Sequence, residues 1–453
     1  MGDGALARPL PCVARCYKGG IATQTESTRQ AGVETCDVLV VGGGIAGITA
    51  SLEAAESGAR VLLVEKTPYL GGRVLQLARY FPKLCPPGCG MEINLRRLRD
   101  NPRITLRTLT EVEEIEGEAG RFTARLRESP RLVTDRCTAC GECALACPVV
   151  RPNPLQSNQS ETKAIYLQGE LVHPLRYVID RDYCLGESCA RCAKVCPHAA
   201  IELTMAERTI LVEASTVIWA TGWQPYTAAR ITNLAYGRHP NIVTNLELER
   251  MAAPDGPTGG YILRPSDGRP PRRVAFIQCA GSRDRLHLGY CSGVCCLASL
   301  KEASYILDRD PEAEVHVFYI DLRTPGPYET FAHKMLARPG LHAVKGKVAD
   351  ITGDPESGNL TVFANDMTRS STSGTEVDLV VLATGMVPNL RDAAPTPVEP
   401  DSYGFLGEGS MPPGMFAAGC ARAPVDVQTA TLDATAAAMG ALGLLAKSRS
   451  TAR

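Results

Sequence analysis

The chain has 453 residues, 44% of them hydrophobic and 5% aromatic, with a formal net charge of −1. Its length suffices for about two to four domains, and the charge balance excludes both a basic nucleic-acid-binding protein and an acidic disordered one. Eighteen cysteines in so long a chain, spaced as described below, read as reduced thiolates in the cytoplasm and not as a secreted disulfide scaffold.

Residues 1–35 are polar and rich in Gly, Thr and Gln, and read as a flexible tail without an apolar segment of signal-peptide length. Leu6 breaks the myristoylation pattern, and Cys12 and Cys16 read more readily as unpaired thiols than as ligands. No run of ~18 uninterrupted apolar residues occurs, so membrane association is expected only through a partner.

Residues 36–47, CDVLVVGGGIAG, predict a buried strand running into a glycine turn, followed by a helix at 48–57 and a strand at 59–65. This βαβ unit carries the GxGxxG pattern of dinucleotide sites. Gly42 permits the tight turn. Gly44, with Ile45 and Ala46 after it, lets backbone N–H groups approach a pyrophosphate at the helix N-terminus, and Gly47 lets helix and strand pack closely. Glu65, next to Lys66, ends the following strand, where its carboxylate can accept from a ribose hydroxyl. Residues 36–133 are thus expected to form the first part of a dinucleotide-binding domain, which the resemblance given below makes an FAD-binding one, continued by 203–270 with a strand at 217–222.

Between these parts, 134–202 hold Cys137-x2-Cys140-x2-Cys143-x3-Cys147-Pro148 and Cys184-x4-Cys189-x2-Cys192-x3-Cys196-Pro197. A single Cys-x2-Cys could bind zinc. Two four-cysteine runs, each closing in Cys-Pro, point to two [4Fe–4S] clusters in an inserted α+β ferredoxin module. The x4 spacing from Cys184 to Cys189 departs from the usual geometry.

A second α/β block, 271–388, is expected from strands at 274–279, 315–321 and 379–385 and a helix at about 295–308. Where a pyridine nucleotide would need three glycines, it reads Gln278-Cys279-Ala280-Gly281-Ser282-Arg283-Asp284. We read a nucleotide-binding fold that has lost its nucleotide, so that the flavin exchanges electrons with proteins. Residues 389–453 close the flavin domain with 415–420 and a helix at about 427–446. Cys85 and Cys89 are candidate redox or ligand thiols, with structure, partner contact or regulation the commoner reading. Cys291, Cys295 and Cys296 could serve a further cluster, although buried thiols are favoured, and Lys301 reads as solvent-facing.

The pattern resembles the thioredoxin-reductase-like flavoproteins, which have two dinucleotide-binding domains. That resemblance implies FAD lying along Gly72-Arg73, crossing segments at Ala220-Thr221-Gly222 and Ala383-Thr384-Gly385, and a late segment at Gly419-Cys420 beside Gln428 and Thr429. Cys420 stands where relatives usually carry Asp. With the inserted cysteine runs, FIQCAGSRD (276–284) and YCSGVCCLASLKEA (290–303), roughly residues 35–445 resemble the A subunit of heterodisulfide reductase. The stretches 80–104 and 249–268 look most like the A subunit of the quinone-interacting membrane-bound oxidoreductase complex, Qmo.

What the resemblance implies is an FAD and iron–sulfur electron-transfer subunit, peripheral on the inner face of the membrane. Its partners would be adenylylsulfate reductase and two other subunits, a second flavin/iron–sulfur one and a membrane haem/iron–sulfur one. The ferredoxin likeness further implies crossed ligation: Cys137, Cys140, Cys143 and Cys196 on one cluster, Cys184, Cys189, Cys192 and Cys147 on the other. Arg136, Arg191 and Lys194 read as solvated or partner-facing. The competing functions are flavin-based electron bifurcation, a stand-alone disulfide or NAD(P)H oxidoreductase, and a scaffold with vestigial cofactors.

Overall fold

The computed structural model describes residues 33–169, 171–354, 357–366 and 371–451, so Cys12 and Cys16 lie outside the described residues. Val38, Leu39 and Val40 are fully buried, as a parallel strand covered on both faces requires. Their strand, Glu34–Val41, lies between Val61–Glu65 and Arg208–Trp219, parallel to both. Ile104–Thr108 extends this sheet beyond Val61–Glu65, and Met415–Ala417 joins the far end of Arg208–Trp219. Arg121–Glu128 and Thr110–Glu118 add an antiparallel wing.

Helices Ile45–Glu56 and Val427–Thr451 cover one face. Ala46, Ile48 and Leu52 of the first pack in one core with Ala434, Ala437, Ala438 and Ala441 of the second, small residues that let the two backbones approach closely. The span Val427–Ser448 is, among the described residues, the one helix apolar and long enough to cross a membrane by length and composition. Thr429, Thr431, Asp433 and Thr435 break its apolar run, which is why no uninterrupted stretch stands out there in the sequence.

The second sheet runs in the order Ile242–Thr244, Leu379–Thr384, Arg273–Ala280, Glu314–Tyr319, Leu341–Gly353, Leu360–Asp366, Ser371–Val377. The first five strands are parallel and the last two antiparallel. It begins earlier than the sequence pattern placed it, because three residues are too few to show a period. The helix Asn245–Ala252 that follows the edge strand is opened by a capping box between Thr244 and Glu247.

The inserted segment folds around Leu132, Val133, Cys143, Ile165, Tyr177, Ile179 and Ala200, with short helices Glu142–Ala146 and Arg191–Val195 beside the cysteines. It is fastened to the rest by buried polar contacts. Arg250, fully buried, donates from Nε to Gln156 Oε1 at 2.9 Å, and Gln156 Nε2 donates to the Asp255 carbonyl at 2.9 Å. On the flavin side, Leu70 N–H donates to the His173 carbonyl at 2.9 Å.

Burial, with Arg99 and Arg131 nearby and Asp100 opposing them, lowers the His173 pKa from 6.5 to about 4. The unfolded chain therefore takes up this proton first. The contribution of His173 to stability is complete above about pH 6.5 and lost as the pH falls towards 4, a change of about 3 kcal/mol at most. We expect His173→Gln to flatten the pH dependence of the melting temperature across that window in calorimetry.

Candidate functional site

At the C-terminal ends of the parallel strands, four segments converge on the first glycine turn. Gly71 N–H donates to the Gly43 carbonyl at 2.8 Å, setting residues 71–72 alongside Gly44. A Cβ on Gly42 would lie 2.4 Å from the Ala220 carbonyl oxygen, which brings Ala220–Gly222 against the turn. Gly419 sits equally close to Ala46 and Ala430, placing Cys420 and the start of the last helix on the remaining side. Gly44, in contrast, has nothing within 4 Å of where its Cβ would be. The helix from Ile45 has no side-chain cap and no acidic residue in its first turn. Its first N–H groups and positive dipole end are therefore left for an anion.

Among the residues of this cradle, Thr221 Oγ1 is buried without a hydrogen-bond partner. An open glycine, a free helix N-terminus and an orphaned hydroxyl at one spot fit a dinucleotide. Glu65 plays a part that the sequence did not show. Its carboxylate accepts the Gly43 N–H at 2.6 Å and the Thr67 N–H at 2.7 Å, so it shapes the turn before it meets any ribose. Lys66 is exposed. Arg73 donates to the Trp223 carbonyl and to Gln76, bracing the turn against the first crossing. Gln428 Oε1 accepts the Tyr328 hydroxyl and Thr429 N–H caps onto Asp426. Gly385 lies at the second crossing, where Ser282, Leu288 and Ser292 fill the space of its missing side chain. Burial pushes the Cys420 thiol up to about 11, so it stays protonated and donates to the Val425 carbonyl.

In the inserted module, a small cavity is lined by Cys147, Cys184, Cys189 and Cys192, with Pro148, Ala164 and Ile179 among its walls. Cys147 thus leaves its own run and joins the second. Cys143 keeps company with Cys137 and Cys140, whose proximity and its burial raise its thiol pKa to about 12. Backbone N–H groups of Ala139, Gly186 and Ala200 point at the sulfurs of Cys137, Cys184 and Cys196 at 3.4, 3.4 and 3.3 Å. Hydrogen bonds of this kind to ligand sulfurs are usual around iron–sulfur clusters. Among the described residues no group of three or more His, Cys, Asp or Glu draws together as a single metal ion would require. Arg136, Arg191 and Lys194 are exposed.

In the second block, protein side chains fill the space at the turn after Arg273–Ala280. A Cβ on Gly281 would lie 2.6 Å from the Tyr226 ring, and Ser282 is buried with its hydroxyl on Ser292 at 2.9 Å. The helix Cys295–Leu307 starts only after the loop 281–294, so the strand does not run through a tight turn into a helix as it does at Gly42–Gly47. Cys279 joins Cys291, Cys295 and Cys296 in one group, in which neighbouring thiols reinforce the upward push of burial. Sequence reasoning counted three of these four. Cys85 and Cys89 are free thiols flanking Tyr80, and Cys36 is a core residue.

Lys301 is a correction. It is buried on the helix Cys295–Leu307, paired with Glu249 at 2.9 Å and donating to the Arg79 carbonyl at 2.6 Å. Its helical position read as solvent-facing because the covering segment, residues 78–80, arrives from the flavin domain. Burial, and then Glu249 beside it, push the Glu302 pKa well above the usual carboxylate range. Lys301→Met should cost about 3–5 kcal/mol, since it strands a buried carboxylate. A chemical-denaturation midpoint would read this, and adding Glu249→Gln should recover part of the loss.

Comparison with known proteins agrees with the geometry. The profile described as FAD dependent oxidoreductase matches residues 37–81, and that described as 4Fe-4S binding domain matches 130–150. A thioredoxin reductase from Lactococcus lactis shares the fold, at a TM-score of 0.50 and 13% identity over 91% of this chain and 99% of that one. The iron-sulfur A subunit of the CoB–CoM heterodisulfide reductase of Methanocaldococcus jannaschii is 39% identical over 83% of this chain and 57% of its own length. The A subunit of the H2:CoB–CoM heterodisulfide,ferredoxin reductase of Methanothermobacter marburgensis is 36% identical over 88% and 62%. An iron-sulfur A subunit of CoB–CoM heterodisulfide reductase from Methanopyrus kandleri is 36% identical over 93% and 66%. The chain therefore spans about three fifths of the length of these curated relatives. Identity at this level over more than four fifths of the chain means that it belongs to the heterodisulfide reductase A-subunit family of oxidoreductases.

Proposed function

We propose that this chain is the electron-transfer subunit of a multi-subunit complex, holding FAD in the glycine cradle and two [4Fe–4S] clusters in the inserted module. The observation that carries the reading is Cys147 lining the second run's cavity. It supports crossed ligation, with Cys137, Cys140, Cys143 and Cys196 on one cluster and Cys147, Cys184, Cys189 and Cys192 on the other. Bound FAD supplies the exchange between two-electron and one-electron traffic. The chain's own residues position it. Gly42, Gly44 and Gly47 admit the pyrophosphate to the N–H groups of Ile45 and Ala46, Glu65 holds the turn, and Thr221 offers a hydroxyl. The eight thiolates would hold the clusters, which supply one-electron transfer when bound, and the N–H donors of Ala139, Gly186 and Ala200 would moderate the charge on the ligand sulfurs. Cys279, Cys291, Cys295 and Cys296 support a further cluster beside the second sheet.

The filled turn at Gly281 argues that the flavin's partners are proteins. We expect no bleaching of flavin absorbance by NADH or NADPH in anaerobic stopped flow, and rapid bleaching would revive the stand-alone reductase. For the partners, we favour adenylylsulfate reductase, a second flavin/iron–sulfur subunit, and a membrane haem subunit, a link between the quinone pool and sulfur metabolism. A bifurcating heterodisulfide-reductase assembly is equally supported by the relatives' names. Anaerobic affinity purification of the tagged protein, with FAD, iron and haem assays on the eluate, separates them. A haem-bearing membrane subunit supports the quinone link, and a hydrogenase or heterodisulfide-reducing subunit supports bifurcation.

A further inference from the structure

Between the cradle and the first cysteine run lies a joint that neither site absorbs. Tyr69 stands two residues before Gly71, on the loop whose start is held by Glu65 and whose end lies beside Gly44. It is buried, and its hydroxyl reaches out of the flavin domain to the carbonyls of Tyr166 at 3.1 Å and Arg176 at 2.8 Å. Arg131, also buried, places its guanidinium 5.1 Å from the centre of the Tyr69 ring. It donates to the Pro68 carbonyl and to Thr108 Oγ1 on the flavin side, and to the Arg176 and Tyr177 carbonyls on the module side. One side chain thus grips both bodies.

From Arg131 the chain runs directly into the first cysteine loop. Leu132 and Val133 pack with Cys143, and the Cys137 N–H bonds the Thr134 carbonyl. Tyr177 shares that core, and its hydroxyl lies 3.7 Å from where a Cβ on Gly141 would sit, inside the loop between Cys140 and Cys143. Burial and the neighbouring Arg176 lower the Arg131 pKa to about 10, which leaves it a cation at neutral pH. Buried without a carboxylate partner, it is held by carbonyls and by the Tyr69 ring face.

We propose that Arg131, clamped over Tyr69, is the positioning residue that fixes the distance from the flavin to the cluster of the first run, making that cluster the first electron acceptor and the second-run cluster the outward one. The inference rests on the two-cofactor reading above. In each transfer one electron leaves the reduced flavin and lowers the cluster's charge by one. The flavin's protons leave to water.

The test uses the intact purified protein. Arg131→Ala, Arg131→Lys and Tyr69→Phe are compared for FAD, iron and sulfide content. The rate at which dithionite-free, photoreduced flavin reduces the clusters is then followed by rapid-freeze EPR. With cofactor content unchanged, Arg131→Ala should slow the flavin-to-cluster step several-fold, because electron tunnelling falls off exponentially with the distance between donor and acceptor. Tyr69→Phe keeps the ring but loses both carbonyl contacts, and should slow it less. Arg131→Lys should restore much of the rate, and the first-run signal should rise before the second-run signal in all. Should Arg131→Ala lose its clusters, Arg131→Lys and Tyr69→Phe decide alone. Wild-type rates in both, or a second-run signal that rises first, overturn the proposal. Absence of FAD or iron from the wild-type protein overturns the two-cofactor reading instead.

Discussion

Gly47→Ala should strongly destabilise the flavin layer, whereas Gly44→Ala should fold normally and bind FAD more weakly. A Cβ on Gly47 would stand 1.7 Å from the Gly42 carbonyl oxygen and 3.4 Å from the Ala220 side chain. The obstacle is backbone, so no rotamer relieves it. The helix would have to move off the sheet, at a cost at or beyond the upper end of the ~1–3 kcal/mol usual for overpacking. Gly44 has extended dihedrals, φ −77° and ψ −174°, that any residue adopts, and open space beside it. An added methyl there costs the fold little but stands in the way of an approaching pyrophosphate. We expect at least about a tenfold weaker FAD affinity, 1.4 kcal/mol or more. Melting curves of the two variants and flavin titration of Gly44→Ala check this. Full FAD affinity in Gly44→Ala would mean that the ligand does not lie along this turn.

The second large effect is expected at Cys147. It closes the first run, yet it lines the cavity of Cys184, Cys189 and Cys192, in keeping with the crossed ligation that the ferredoxin likeness implies. Cys147→Ala should therefore remove the second-run cluster and spare the first, while Cys196→Ala should do the reverse. Iron and sulfide content should fall by one cluster's worth in each. EPR of the reduced variants should show two different surviving signals. Loss of the same signal in both would sink the crossed ligation, as would loss of the first-run signal from Cys147→Ala.

Much of this architecture was legible because its signals are local. The run CDVLVVGGGIAG is a strand, a turn and a helix start within twelve residues, and the cysteine spacings compress a ligand set into eleven or thirteen. What stayed hidden depends on chain brought from elsewhere. Lys301 could not be read as buried, because its cover is residues 78–80 and its partner is Glu249. Cys279 joins Cys291, Cys295 and Cys296 only because a strand end and a helix start meet across a loop. Glu65 carried a dinucleotide expectation, but its two bonds to the turn N–H groups follow from how closely strand and turn are set. Arg131 carried no motif at all. A buried cation held by carbonyls leaves no periodic trace, and only its place just before a cysteine run hinted at a joint.

The strand pairing at the root of the inserted module has a consequence for how such a chain could arise and be rebuilt. Arg121–Glu128 leads out to the module and Arg208–Trp219 leads back, and these two strands are antiparallel neighbours with Glu128 directly opposite Arg208. The path leaves and re-enters the flavin sheet at a single rung, 129–207 being carried entirely outside it. A tight turn in place of those residues would close an ordinary hairpin without moving or rethreading any strand of the sheet. The cysteine module is in that sense a cassette, and its removal would leave the flavin fold topologically whole.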